Sequence, residues 1–341
     1  SLSSVDEVVM GNVLGAGQGQ APARQASFHA GLGAQVPATT LNKMCGSGMK
    51  ATMIGFDQIA LGQTQVMAVG GMESMSNAPY LLPKMRSGAR LGHSQVADHM
   101  FLDGLEDAYE NGRLMGSFAE DCAEKYQFTR EAQDDYALRS LIRAREAQSS
   151  GAFENEITPF NLARKKGDYA VMQDEQPLNA KPEKIPHLKP AFRADGSVTA
   201  ANASSISDGA AALIVSSQTH MQQAGLPCRA RILGHASHAQ EPAWFSTAPI
   251  FATRKLLDRL NWRVEDVDLW EVNEAFAVVP MAFMNELDIS GDIINVHGGA
   301  CALGHPIGAS GARIIVTLLH AMERRDVKRG IAAVCIGGGE G

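Results

Sequence analysis

Three side chains able to do acyl and proton chemistry stand far apart in this chain, each in a glycine-rich setting. Cys45 lies in Asn42-Lys43-Met44-Cys45-Gly46-Ser47-Gly48, and Cys335 in Val334-Cys335-Ile336-Gly337-Gly338-Gly339. His305 lies in Gly304-His305-Pro306-Ile307-Gly308-Ala309-Ser310-Gly311. One thiol can carry an acyl group as a thioester, and an imidazole can take the thiol proton. A second thiol can move a proton on the carbon beside a thioester carbonyl. That set suits acyl transfer with formation of a carbon–carbon bond. Each residue also has a plainer reading. Free cysteine is among the most buried residue types, and a lone histidine can be a hydrogen-bonded core residue. The glycines allow either a bulky ligand or a packed helix to approach the backbone.

The elements that must hold these residues repeat. Val5–Val13 reads as a strand running into a Gly/Gln/Pro-rich loop. Thr40–Met44 reads as a short extended segment, Cys45 as a turn, Met49–Leu61 as a helix and Gln65–Gly71 as a buried strand ending in two glycines. Near the C-terminus the order returns: Ile293–Val296 leads into Gly298-Gly299, a helix runs from about Ser310 to Arg325, and Gly330–Ile336 is again a buried strand ending in glycines. Ser47-Gly48-Met49-Lys50 and Ser310-Gly311-Ala312-Arg313 occupy like positions, a weak internal repeat. The order predicts an α/β protein of two similar halves. The expected division is 1–77, completed by about 207–227, as the N-terminal half, 78–206 as an inserted region, and 228–341 as the C-terminal half. Within the insertion Thr129 should cap a helix ending before Gly151, with Ala137, Leu141 and Ala144 on one face, and Gly167–Pro190 reads as loop. Asp268–Ala277 reads as a strand turning into a helix at Asn273. That asparagine is either an N-cap or an amide able to hold a water at an oxyanion. Cys45, just before a helix, should feel backbone N–H groups and a helix dipole that favour its thiolate.

Composition narrows the class. The chain has 341 residues, 45% of them hydrophobic, enough for a sizeable core. A net charge of -7 argues against a nucleic-acid partner. No apolar run is long enough to span a bilayer, so no membrane partner is expected, and the start lacks a signal-peptide pattern. The cysteines, at 45, 122, 228, 301 and 335, are scattered without a CxxC. A disulfide framework or metal site is therefore not expected, and a reducing compartment, the cytoplasm, fits better.

Six segments together carry a family resemblance. They are the three above plus Gly70-Gly71-Met72-Glu73-Ser74-Met75-Ser76, Val198 to Asp208-Gly209-Ala210-Ala211-Ala212, and Asn273-Glu274-Ala275-Phe276-Ala277. Across essentially its whole length the chain resembles the thiolases, in particular the short-chain acetyl-CoA acetyltransferase branch. The resemblance implies a thiolase fold, a layered α-β-α-β-α core with an inserted loop domain. It implies Cys45 as the acylated nucleophile, His305 as its activator and Cys335 as the acid/base. His305 with a water on Asn273 would form one oxyanion hole, and the N–H groups of Cys45 and Gly337 the other. Coenzyme A or acetyl-CoA would be substrate, with no permanently bound cofactor. Its pantetheine arm would pass Phe192, Ala200, Ala203 and Ser204, and Met115, Phe245 and Phe276 would line the acyl end. These last three read equally as core. A homotetramer, a dimer of dimers, is implied, in a bacterial cytosol or, in a eukaryote, the mitochondrial matrix.

The chain also departs from the family pattern. Leu114-Met115-Gly116 stands where many members have His-Met-Gly. With Val198–Ala203 and Phe245 it resembles the branch that also takes 2-methyl-branched substrates. Some of that branch bind potassium through a tyrosine, and none lies around Gln176-Pro177. Family members begin earlier, with a further strand and helix, and run past Gly341 with a closing strand, so a partial chain is expected. The alternatives are a thiolase for longer chains, a β-ketoacyl synthase, which would use His or Asn where Cys335 stands, and a non-catalytic thiolase-like protein.

Overall fold

The computed structural model describes residues 4–163 and 167–341. The N-terminal half is built on a four-stranded sheet of β1 (Glu7–Gly11), β2 (Ala38–Leu41), β3 (Val66–Ser74) and β8 (Asp208–Ser216), in the order β2-β1-β3-β8. The first three are parallel and β8 runs antiparallel to β3. Alternation along β1 explains the layering. Val8 and Met10 pack with Ala23 of α1 (Pro22–His29), whereas Val9 packs with Ala51 of α2 (Ser47–Ala60), so the two helices cover opposite faces. A strand buried on both faces reads as a continuous apolar run, as β1 does. β8, at the sheet edge, alternates between exposed and half-buried residues along its first seven positions.

The C-terminal half repeats the plan on a parallel pair, β9 (Leu269–Val272) and β10 (Gly330–Ala333). Trp270 and Val272 face α7 (Ala248–Leu260) and α8 (Val278–Leu287) in the largest core cluster. Leu269 faces the other way, onto Leu318 and Ala321 of α10 (Ile307–Arg325). Helices α2 and α10 pack on each other between the two sheets. The layers are thus α1, sheet, α2 with α10, sheet, α7 with α8.

Ile293–Val296, expected to be extended, forms only isolated bridges, Trp270 to Ile294 and Val296 to Gly298. Asn295 turns into the left-handed region (φ 47) and breaks the extended run. Its side chain stands in for a strand neighbour, accepting from Val272 N at 2.7 Å and donating to Val272 O at 2.8 Å.

Between the halves lie the hairpin-like pairs β4 (Tyr80–Leu81) with β5 (Ala97–Asp98) and β6 (Phe160–Leu162) with β7 (Tyr169–Val171). Helices α3 (Met115–Tyr126) and α4 (Arg130–Ser149) occupy the same region. Thr129 caps α4 as expected, its hydroxyl accepting from Ala132 N at 3.2 Å. Gly167–Pro190 is more ordered than a loop, holding β7, α5 (Glu175–Asn179) and a 3-10 turn over Pro182–His187. Arg145 of α4 ties this segment down by donating to Pro177 O and Ala180 O, both at 2.7 Å. Such long-range cationic anchors leave no local periodicity to read. The remaining helices are short: α6 (Gln218–Gln223) and α9 (Ala300–Leu303). Among the described residues no helix is long and apolar enough to cross a membrane.

Candidate active site

Cys45 sits on the turn from β2 into α2. The preceding Met44 has φ 46, a left-handed conformation that non-glycine residues adopt at a cost, and it turns the thiol out on a tight elbow. Ser47 locks that elbow, donating from its hydroxyl to Met44 O at 2.7 Å and accepting from Lys43 N at 2.8 Å. His305 lies in the three-residue link between α9 and α10. The first turns of α2 and α10 meet without side chains between them. A Cβ on Gly48 would stand 2.7 Å from Ala312 N, and one on Gly311 would stand 2.5 Å from Met49 N. These two glycines let the loops carrying Cys45 and His305 converge, and Ile307, two residues after the histidine, packs in one cluster with Cys45.

Cys335 follows β10 and is fully buried, close enough to Cys45 for a charge on Cys45 to disfavour its thiolate. Gly338 and Gly339 next to it have φ 88 and 83, a turn that side chains would strain. All five cysteines are free thiols.

The electrostatics differ from the expectation for Cys45. Part of the residue is reached by solvent, yet packing around the sulfur desolvates it and pushes the thiol up to about 11. The N–H groups of Gly337 and Cys45 pull the other way, and the Glu73 carboxylate adds a smaller upward push. Desolvation outweighs the helix start, so the resting nucleophile is a thiol. Burial likewise drives Cys335 well above its ordinary value. His305 is pushed down to about 3, first by burial and then by the Arg313 charge, and is neutral. Its Nδ1 lies 2.6 Å from Ser310 Oγ, a hydroxyl that also lies within donating distance of Pro306 O at 3.0 Å. With the Ser310 proton on Pro306 O, Nδ1 carries the ring proton and Nε2 is the bare base; Nε2 is buried and without a partner among the described residues.

Asn273 is fully buried, and neither its amide oxygen nor its nitrogen has a partner among the described residues. It does not cap a helix: α8 starts only at Val278, and Asn273 N instead donates to Ala333 O at 3.0 Å, continuing the β9–β10 ladder. A buried amide without a protein partner is free to hold a water or a ligand.

The residues expected along the acyl-CoA path divide. Ala203, Phe245, Phe276 and Cys335 share the large core cluster, with Met115 and Phe192 packed against it. Phe276 is edge-on to Phe192 at 5.9 Å and to Phe245 at 6.3 Å. Met115 comes within van der Waals reach of where a Gly337 side chain would be. Ala203 bridges to Phe276, and Ser204 N donates to Ala275 O at 2.9 Å. Ala200 is exposed, outside that cluster. Among the described residues no group of three or more His, Cys, Asp or Glu is placed to hold a metal ion.

Sequence reasoning missed Ser310. A hydroxyl five residues after a histidine in a first helical turn was a signal that could have found it.

Fold and site define an α/β protein of two similar halves, each delivering a thiol from a glycine turn, with an imidazole at the shared helix ends. The thiolase N-terminal domain model matches residues 1–219 and the thiolase C-terminal domain model matches residues 226–341, and the chain belongs to the thiolase family. It is 51% identical over 339 residues to an acetyl-CoA acetyltransferase of Pseudomonas aeruginosa, covering 99% of this chain and 86% of that protein. An acetyl-CoA acetyltransferase of Escherichia coli is 50% identical over 339 residues, covering 99% and 86%. Among solved structures, the Acat5 thiolase of Ascaris suum in complex with coenzyme A superposes with a TM-score of 0.93 at 42% identity, covering 100% of this chain and 87% of that one. The Bacillus anthracis acetyl-CoA acetyltransferase superposes with a TM-score of 0.96 at 41% identity, covering 100% and 86%.

Proposed function

We propose that this protein is an acetyl-CoA acetyltransferase, joining two acetyl-CoA molecules into acetoacetyl-CoA and free CoA, and running the reverse thiolysis. The observation that supports it most is an elbow thiol packed in one cluster with Ile307, two residues after a buried imidazole whose Nε2 has no partner among the described residues, and near enough to a second buried thiol for its charge to be felt there.

In the first half-reaction Cys45 Sγ attacks the thioester carbonyl while its proton passes to His305 Nε2. The carbon–sulfur bond to CoA breaks, and Cys335 gives its proton to the departing thiolate. The site is left with acetyl-Cys45, a His305 imidazolium and a Cys335 thiolate, so the two charges arise as a pair. In the second, Cys335 takes the α-proton of another acetyl-CoA. The enolate oxygen is held by His305 Nε2–H and a water on Asn273, and its carbon attacks the acetyl group. The N–H groups of Cys45 and Gly337 hold the second oxyanion. Cys45 then leaves as thiolate and recovers its proton from His305. Two half-reactions through one acyl-enzyme predict ping-pong kinetics.

The pantetheine arm is assigned to Phe192, Ala200, Ala203 and Ser204, and the acyl end to Met115, Phe245 and Phe276, a bulky apolar wall that favours short chains. We further assign residues 1–77 with 207–227 and 228–341 as the two halves, 78–206 as the CoA-binding and assembly insertion, and a cytoplasmic homotetramer as the working form. The test is CoA-dependent loss of acetoacetyl-CoA absorbance, with Cys45→Ala as control. Turnover absent from the control supports the reading. A folded protein that turns over only longer ketoacyl-CoA, or none, overturns it.

A further inference from the structure

His305 sits in a link of only three residues, Gly304-His305-Pro306, between α9 and α10. Each of those helices begins on a buried carboxylate contributed by a distant part of the chain. On one side, Glu73, at the end of β3 and 4% exposed, accepts from Gly308 N at 2.9 Å in the first turn of α10. On the other, fully buried Glu274 accepts from Cys301 N at 3.1 Å at the start of α9.

Neither carboxylate has a spare oxygen. Glu73 Oε2 also takes Val13 N at 2.9 Å, and its Oε1 takes Asn12 Nδ2 and Leu14 N, both at 3.0 Å. Val13 and Leu14 pack with Ile307 and against Cys45, so this acid joins the wall behind the nucleophile to the helix carrying the base. Glu274 Oε1 takes Tyr136 Oη at 2.9 Å and Asn295 Nδ2 at 2.8 Å, and its Oε2 also takes Ser140 Oγ at 2.7 Å. It follows Asn273 directly in the chain. An ionised carboxylate is acceptor-only with about four lone-pair sites, and each of these two meets four donors.

Resting on the acyl-transfer reading above, we propose that Glu73 and Glu274 are paired positioning residues. They clamp the two ends of the His305 link, and so fix the imidazole against Cys45 on one side and against the Asn273 amide on the other. Neither touches the reacting atoms in this geometry. A plain stability role would use the same bonds but would not control the chemistry of a folded molecule, and that difference can be measured.

Glu73→Gln and Glu274→Gln keep side-chain volume but turn one acceptor into a donor facing N–H or O–H donors. Steady-state kinetics would be measured well below the melting temperature, per folded site. A misplacement of about 1 Å at a reacting group costs on the order of 100-fold in rate. The expected result is therefore a kcat lowered about 100-fold with KM for acetyl-CoA within about twofold. In 15N-histidine spectra, assigned with His305→Asn, the His305 ring nitrogens should shift in both variants. Variants that melt lower yet keep kcat per folded site and the His305 signals overturn the proposal. If Glu73→Gln does not fold, Asn12→Ser removes one of its four donors. A kcat lowered several-fold, with the same His305 shift, then supports the clamp, and an unchanged kcat overturns it. Wild type indistinguishable from Cys45→Ala sinks the acyl-transfer reading instead, and the ring-nitrogen shifts still decide the clamp.

Discussion

Alkylation of Cys45 as a function of pH separates two opposed physical effects. The start of α2 stabilises an anion, whereas packing around the sulfur destabilises one. A helix terminus contributes about 0.3–1 kcal/mol, and up to about 2 in partly buried geometry. A thiol moved from 9.0 to about 11 reports a net cost of the opposite sign, close to 3 kcal/mol at 1.36 per unit. The thiolate fraction at pH 8 is then about one in a thousand rather than about one in ten. With iodoacetamide, and the Cys45 peptide followed by mass spectrometry, the rate should rise about tenfold per pH unit from 7 to 10 without a plateau. Exposed Cys228 serves as an internal check on the reagent. Acetylation by acetyl-CoA at pH 8 should nonetheless be fast, because His305 takes the proton within that step. His305→Asn should slow acetylation far more than alkylation. A plateau near pH 7 would refute the reasoning, since it would mean a preformed thiolate and a helix terminus that outweighs desolvation.

Cys335→Ala should still acquire an acetyl group on Cys45 by mass spectrometry, more slowly because the departing CoA thiolate must take its proton from solvent, but should not condense it; failure to acetylate at all would break the proposed division of labour. Asn273→Ala should lower kcat by about 100- to 1,000-fold in steady-state assays, as loss of an oxyanion donor does. His305 binds its proton only near pH 3 when folded but at 6.5 when unfolded, so the unfolded state holds more protons between those values and stability falls as pH drops through that window. From pH 7 to 5 urea unfolding should lose about 2 kcal/mol from this group, a loss absent in His305→Asn. Gly311→Ala puts a methyl at 2.5 Å from Met49 N, and its thermal melt should show destabilisation with a matching loss of turnover.

Much of the fold could be read from local pattern. The buried runs of β1, β3, β9 and β10 and the glycine turns after them carry their own periodicity, and the recurrence of strand, turn and helix implied two halves. The elements that were not legible depend on distant partners. Asn295 interrupts the extended run where its side chain serves Val272, and Arg145 anchors α5 through Pro177 O and Ala180 O, and neither bond leaves a trace in nearby residues. At the site, residue types pointed to Cys45, His305, Cys335 and Asn273, but the charge state did not follow from them. A cysteine before a helix reads as an activated thiolate, and burial between two apolar clusters, one with Val13, Leu14 and Ile307 and the other with Met49 and Ile336, reverses the sign. Glu73 and Glu274 stood inside the recognised motifs, yet an acid among glycines and apolar residues has no meaning until the chain brings it four donors.

The inversion at Cys45 has a mechanistic consequence. Two thiols and a neutral imidazole can share one dry site only if none carries a net charge at rest, because an isolated ion there would be expensive. Activation must therefore create charge in pairs, imidazolium with thiolate, at the moment a thioester occupies the site. On the proposed mechanism the N–H groups of Cys45 and Gly337, which oppose desolvation of the resting sulfur only in part, then act on the oxyanion. A site arranged in this way leaves the free thiol slow toward other electrophiles and fast toward a thioester that brings its own polar groups into the cavity.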